Sequence, residues 1–414
     1  MNMQKEDYKI HIIGAGVSGL IAARVLENHG YAPTILEASD RVGGRVKTEH
    51  EDGFVLDHGF QVLLTAYPKA KEYLDFEALK LEKFLPGAVI FGEGSKQTIG
   101  DPLRNLSLLF PTILASVGTI SDKLKVLKLN IQLKKKSLEE IFDSPEKTTY
   151  DYLNEKGFSK GMIEQFFKPF FSGIFLEPNL ETSSRMFEFV YKMFGEGYAA
   201  VPHDGIEAIS QQLKAQLKQT TFKFNTAVRD VQDDEIKLVN GTNINSHFSI
   251  IATEASSLVS NLSNQQTSWK GCDSLYFEVE NKVLDKPVIG LISAPEALIN
   301  NLNYPKQAGA THLLSVTVVK DHALSIEDLK IKVVQELKQY CGISVKRFIK
   351  HYMIKKGLPK LTNLQYSIDP TETQLKEQVF LAGDILLNGS LNAAMIAGEA
   401  AAMGVIKNIE ENVF

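Results

Sequence analysis

Cysteine is scarce: Cys272 and Cys341, 69 positions apart, are the only two in 414 residues. With no Cys-x-x-Cys pair and no Cys/His cluster at ligand spacing, a disulfide framework and a thiolate metal site are excluded, and both read as reduced thiols. Excess positive charge is missing too. Lys plus Arg number 45 against 50 Asp plus Glu, a net charge of −5, so no field is available to hold phosphates and no nucleic-acid partner is expected. Long hydrophobic runs are absent. The richest, Leu106 to Ile120, is broken by Pro111, Ser116, Gly118 and Thr119 and falls short of the ~20 residues a spanning helix needs. Met1 to Lys9 is short and charged and runs straight into Ile10-His11-Ile12-Ile13, with no apolar stretch of signal-peptide length, so a cytoplasmic protein is expected. There is no G-x-S-x-G elbow, no HExxH and no catalytic triad. The nine histidines are scattered and read as solvated or capping residues.

What remains is the composition of a soluble α/β enzyme, 44% hydrophobic and 23% charged, long enough for two or three domains. Tyr8 to Ile13 is a β-type run ending in Gly14-Ala15-Gly16-Val17-Ser18-Gly19. A helical pattern follows and stops at Gly30, and Pro33 to Glu37 then reads as a second strand. In this β-α-β setting Gly14, Gly16 and Gly19 permit a tight turn, close approach of backbone to a pyrophosphate and close helix packing. The helix N-terminus faces the anion, with Ala15 and Ser18 inside the loop. Glu37, next to Ala38, stands 18 residues after Gly19, near the ~20-residue offset of a carboxylate that binds ribose hydroxyls. Arg41-Val42-Gly43-Gly44-Arg45 follows, where glycines admit a ligand and guanidiniums can reach its oxygens.

The stretch Ile12 to Arg45 resembles the FAD fingerprint of the flavin amine oxidase superfamily, which includes monoamine and polyamine oxidases, protoporphyrinogen oxidases and phytoene desaturase-like enzymes. Val379 to Ala402, "VFLAGDILLNGSLNAAMIAGEAAA", resembles the family's terminal strand, Gly-Asp turn and flavin-facing helix. The resemblance implies a Rossmann-like α/β FAD-binding domain, discontinuous over 1–65, 195–255 and 375–414, with an inserted α+β substrate-binding domain over 66–194 and 256–374. It also implies non-covalently bound FAD. Gly59, Phe60, Gln61 and Val62 would pass the flavin ring, Val228 would meet adenine, and Gly383 and Asp384 would meet the ribityl chain. Asn392, Ala393 and Met395 would open the flavin-facing helix. Where many amine oxidases carry an Arg two positions after the acidic residue, this chain has Ser39, and where some carry a Trp near the last helix it has Leu387-Asn388-Gly389-Ser390.

Coarse patterning predicts a strand pair over Asp52 to Val62, helices from there to about Phe194, and strands from about Val201 with a turn at Asn240-Gly241. The aromatic run Phe166 to Phe175, with Phe170, Phe171 and Phe175 as candidates, suits the wall of a pocket for a small apolar substrate. Lysine-rich Leu103 to Leu138 reads as a basic amphipathic stretch able to rest on an anionic bilayer, or as a solvated helix face. The expectation is an FAD-dependent oxidoreductase dehydrogenating a porphyrinogen-, isoprenoid- or polyene-like substrate by hydride transfer to flavin N5, with no metal. Oxygen and a quinone both stay open as electron acceptor. The alternatives are an amine oxidase releasing peroxide, a redox-neutral flavin isomerase and a non-catalytic FAD-binding protein.

Overall fold

The computed structural model describes residues 4–92, 94–262, 265–306 and 312–411. At its centre is a five-stranded, wholly parallel sheet in the order Thr221–Lys223, Thr34–Leu36, Ile10–Ile13, Phe248–Ile251, Val379–Leu381. Parallel strands are covered on both faces and so carry continuous apolar runs. Ile12 and Ile250 face the helices Val17–Asn28 and Leu391–Glu410, whereas Ile13 and Ile251 face a three-stranded antiparallel sheet made by Val228–Val231, Glu235–Leu238 and Asn243–Asn245. The two helices cross closely because Gly398 has no side chain: a Cβ there would lie 2.3 Å from the Ser18 carbonyl oxygen.

A second sheet has seven strands in the order Val345–Pro359, Trp269–Val279, His312–Val318, Ile299–Asn303, Ile289–Ile292, Gly87–Gly92, Ser95–Gly100. Only the pairing of Ile289–Ile292 with Gly87–Gly92 is parallel. Leu329, Val333 and Leu337 of the helix Ile326–Cys341 share a buried cluster with Leu275, Phe277 and Val316 of the sheet. The stretch expected to be helical as far as Phe194 therefore contributes two strands to this sheet, besides the short strands Leu63–Leu64 and Glu82–Lys83. Ala88-Val89-Ile90-Phe91 is a short apolar run bounded by Gly87 and Gly92, and such runs fit a buried strand as well as a helix.

The predicted strand pair over Asp52 to Val62 is also displaced. Thr48–Glu51 pairs with Phe54–Asp57, the turn falls at Asp52-Gly53 with both φ angles positive, and 58–62 lies outside the strands. Helices follow from Leu109–Leu114 and Ile120–Lys135 to Lys168–Phe175 and Ser184–Glu196. Among the described residues no helix is long and apolar enough to cross a membrane.

Candidate functional site

The strand Ile10–Ile13 delivers the chain into a loop that only glycine can form. Gly14 has φ +104°, and a Cβ on Gly19 would sit 2.1 Å from the Gly14 carbonyl oxygen. Gly16 differs, because a Cβ there would meet nothing within 4 Å. Its exposed edge is on a cavity wall. No side chain caps the helix Val17–Asn28, so the N–H groups of its first turn remain available to an anion. The second glycine loop lies directly against the first: the Gly43 amide donates to the Ala15 carbonyl at 3.0 Å, and a Cβ on Gly44 would come within 3.3 Å of the Gly16 α-carbon.

Glu37 leaves the end of its strand with both oxygens held. Oε2 accepts from the Ala15 amide at 2.7 Å, and Oε1 accepts from the amide and hydroxyl of Ser39 at 2.8 and 2.7 Å. Ser39, where the resemblance leads one to expect an arginine, thus fixes the carboxylate. Ala38 is exposed beside it, off the wall. The two arginines of the loop part company. Arg41 turns to Glu207, with Nε 3.3 Å from Oε2, and lines a separate smaller hollow. Arg45 stays on the cavity wall and forms an ion pair with Asp384, joining the two ends of the chain. Asp384 is buried and follows Gly383, whose φ is +138°.

Gly59 to Val62 also line the cavity. Gly59 has φ +87°, and a Cβ on it would come within 2.8 Å of Ile354. Gln61 Nε2 donates to the carbonyls of Arg45 and His58, each at 3.0 Å, wedging this segment between the glycine loops and the seven-stranded sheet. Val228, Asn392, Ala393 and Met395 are not on the wall. Val228 pairs with Leu238 behind the parallel sheet. Asn392 Oδ1 accepts from the Lys69 amide at 3.0 Å, and the Ala393 amide donates to the Ser390 hydroxyl, the cap of the last helix, at 3.0 Å.

The cavity measures about 2220 Å³, more than the roughly 300–1,000 Å³ of a site for one small ligand. It runs from the glycine loops to the aromatic helix Lys168–Phe175. Phe170, Phe171 and Phe175 are all on its wall, but Phe171 and Phe175 are fully buried, and the Phe171 ring packs edge-on or tilted against Phe170, Phe175 and Phe187 with ring centres 4.7–5.3 Å apart. Of these three, the half-buried Phe170 is the one with ring surface to spare for a ligand.

Several wall residues escaped sequence reasoning. Trp269 stands under Arg45, 5.2 Å from guanidinium carbon to ring centre, and its buried indole N–H has no acceptor among the described residues. Its being the sole tryptophan was a signal, but its sequence position hid the contact. Lys270 donates to the Thr182 hydroxyl at 2.7 Å, and burial lowers its pKa. Burial pushes the Cys272 thiol up to about 12, with Asp273 adding to the shift. His351 is not solvated as expected: its Nε2 meets Asp273 Oδ1 at 2.5 Å, and His322 meets the other oxygen at 3.1 Å. Among the described residues no group of three His, Cys, Asp or Glu is placed to hold a metal ion.

The residues fit a dinucleotide. An uncapped helix start, an open glycine edge at Gly16, an acceptor at Glu37, and donors from Arg45 and the unpartnered Trp269 N–H line one continuous wall. The chain is similar to several known proteins. L-amino-acid oxidase of Sistrurus catenatus edwardsii is 30% identical over 36% of this chain and 28% of its own length. Protoporphyrinogen oxidase 2 of Arabidopsis thaliana is 28% identical over 40% of this chain and 32% of its own. The chain thus spans about a third of the length of these curated relatives. Among solved structures, a putative protoporphyrinogen oxidase from Exiguobacterium aligns with TM-score 0.69 at 19% identity, covering 97% of this chain and 99% of that one. A CLA-producing fatty acid isomerase from P. acnes aligns with TM-score 0.71 at 15% identity, covering 97% and 99%. At such identities the likeness is one of fold. Residues 17–406 match the model of the family described as flavin containing amine oxidoreductase, and the chain belongs to that family.

Proposed function

We propose that the protein holds FAD non-covalently along the glycine loops and dehydrogenates a small apolar substrate lodged against the aromatic helices. One observation carries this reading: the glycine cradle and the aromatic wall bound a single cavity. FAD bound there would supply the hydride acceptor, flavin N5. The chain's own residues do the rest. The first turn of Val17–Asn28 and Arg45 face the pyrophosphate, Glu37 takes ribose hydroxyls, and Asp384 receives a ribityl hydroxyl while neutralised by Arg45. Phe170 and its neighbours exclude water. Cys272, protonated at neutral pH because its pKa is pushed up to about 12, is a poor nucleophile toward a flavin ring, which favours non-covalent attachment.

All five strands of the parallel sheet fall within 1–65, 195–255 and 375–414, and all seven strands of the second sheet within 66–194 and 256–374. This supports assigning those parts to cofactor and substrate. The helix Pro68–Tyr73 packs on the last helix through the hydrogen bond from Tyr73 to Glu399 at 2.9 Å, which favours drawing the boundary near 66 somewhat later in the chain.

The test is anaerobic visible spectroscopy of the purified protein with porphyrinogen, polyene and amine candidates in turn. Flavin bleaching with a porphyrinogen or polyene, and flavin released into the supernatant on denaturation, are expected. Bleaching by amines alone, with peroxide in air, would replace this reading with an amine oxidase. A product of unchanged mass would mark an isomerase, and failure to take up added FAD would end the proposal.

A further inference from the structure

Exposed large apolar side chains on soluble proteins are normally scattered singly. Here they gather in one stretch: Leu103 is 72% exposed, Leu106 79%, Phe110 73%, Leu114 80% and Ile120 76%. The helix Ile120–Lys135 shows how the surface is built. Leu129 and Leu133 are buried against the body. On the opposite face Ile120, Leu124, Leu127 and Ile131, spaced by four, three and four residues, form a second apolar stripe that points outward. At about 100° per residue, Lys128 and Lys135 flank this stripe on one side, and Lys123 and Lys134 on the other.

Charge decides what covers it. Residues 103–136 contain one acid, Asp122, which is buried and held by hydroxyls of Thr119 and Ser159 at 2.8 and 2.6 Å. Lys123 is committed to the carbonyls of Ile113 and Ala115, but Lys128, Lys134 and Lys135 have no carboxylate partner among the described residues. A second copy of the chain would bring lysine rows to lysine rows with no acid to receive them. A lipid interface suits both features, because apolar side chains enter the acyl region while lysine stems extend to the phosphates. The patch also reaches the cavity, whose wall includes Leu103, Leu109, Ile113 and Leu127.

We propose that the surface formed by residues 103–135 docks the protein on an anionic bilayer, and that apolar substrate enters the cavity there from the lipid. The entry route rests on the apolar-substrate reading above, whereas the docking does not. Co-sedimentation of the full-length, FAD-loaded protein with phosphatidylcholine vesicles, with and without phosphatidylglycerol, tests it. Binding to the anionic vesicles is expected, and it should weaken about tenfold or more in Leu124→Glu/Ile131→Glu and in Lys128→Glu/Lys135→Glu. These outward positions leave folding intact, checked by thermal melting and flavin retention. A wild type that pellets no more than the variants overturns the docking whatever the flavin does. So does a dimer that Leu124→Glu/Ile131→Glu dissociates without any vesicle binding. Vesicle binding together with turnover of water-soluble amines alone overturns the entry route and the apolar-substrate reading but not the docking.

Discussion

Two glycines three positions apart in one loop do different work. Gly19 is needed by the fold: its α-carbon abuts the Gly14 carbonyl, and a Cβ would intrude to 2.1 Å. Gly16 has φ −74° and open space where a Cβ would go, so the protein alone has no need of a glycine there. Gly19→Ala should therefore cost about 3 kcal/mol or more, since backbone cannot yield as a flexible side chain can. Gly16→Ala should cost about 1 kcal/mol or less yet weaken FAD about tenfold or more, equivalent to about 1.4 kcal/mol. Thermal melts of the apoprotein and absorbance of retained flavin after gel filtration separate the two. If Gly16→Ala melted as low as Gly19→Ala, or kept its flavin fully, the cradle would be placed wrongly. At this scale the sequence was most legible where the geometry is local. The 14–19 loop and Glu37 are set mostly by the chain between positions 10 and 44, whereas Arg41 and Arg45 have the same chemistry in the same loop and are told apart by partners far along the chain, Glu207 and Asp384.

Helices and strands show the same division. The first helix, the last helix and the parallel strands announce themselves by periodicity and flanking glycines. The strand Gly87–Gly92 does so only in part: its hairpin with Ser95–Gly100 is local, but a short apolar run fits a helix as well, and its parallel partner Ile289–Ile292 lies about two hundred residues away, out of reach of local patterning. Trp269 was missed for that reason too: the pairing of its strand with Val345–Pro359 sets it beside Arg45. The aromatic helix Lys168–Phe175 is amphipathic in a stricter sense than its sequence suggests, with neighbouring phenylalanines on different faces. Phe171 is wholly buried among other rings, so Phe171→Ala should cost about 3–5 kcal/mol. Phe170→Ala should cost about half that, because its ring is only partly buried, and it should raise KM for an apolar substrate several-fold. Urea unfolding beside steady-state kinetics checks both. Equal stability losses with unchanged KM would remove Phe170 from the substrate wall.

Across the whole molecule, the parallel sheet is the element on which both glycine loops hang, and its central strand carries a titratable group that no sequence pattern singled out. His11 is 6% exposed in the strand Ile10–Ile13, with Nδ1 2.8 Å from the Ser246 hydroxyl. Its pKa is lowered from 6.5 to about 4, first by burial and then by the charges of Lys223, Lys9 and His247. The histidine is thus neutral in the folded protein and binds a proton more readily in the unfolded chain. Its contribution is complete above pH 6.5 and declines as pH falls toward about 4, an acid-side loss on the order of 3 kcal/mol at 1.36 kcal/mol per pKa unit. Other groups titrate in that range, and buried Asp57, whose pKa is raised by desolvation, works in the opposite direction. The difference between wild type and His11→Gln isolates the histidine. Urea unfolding at pH 7 and pH 4.5 should show wild type losing more stability than the variant over this interval, by about 2 kcal/mol. Parallel losses would mean that His11 keeps an ordinary pKa in the folded sheet.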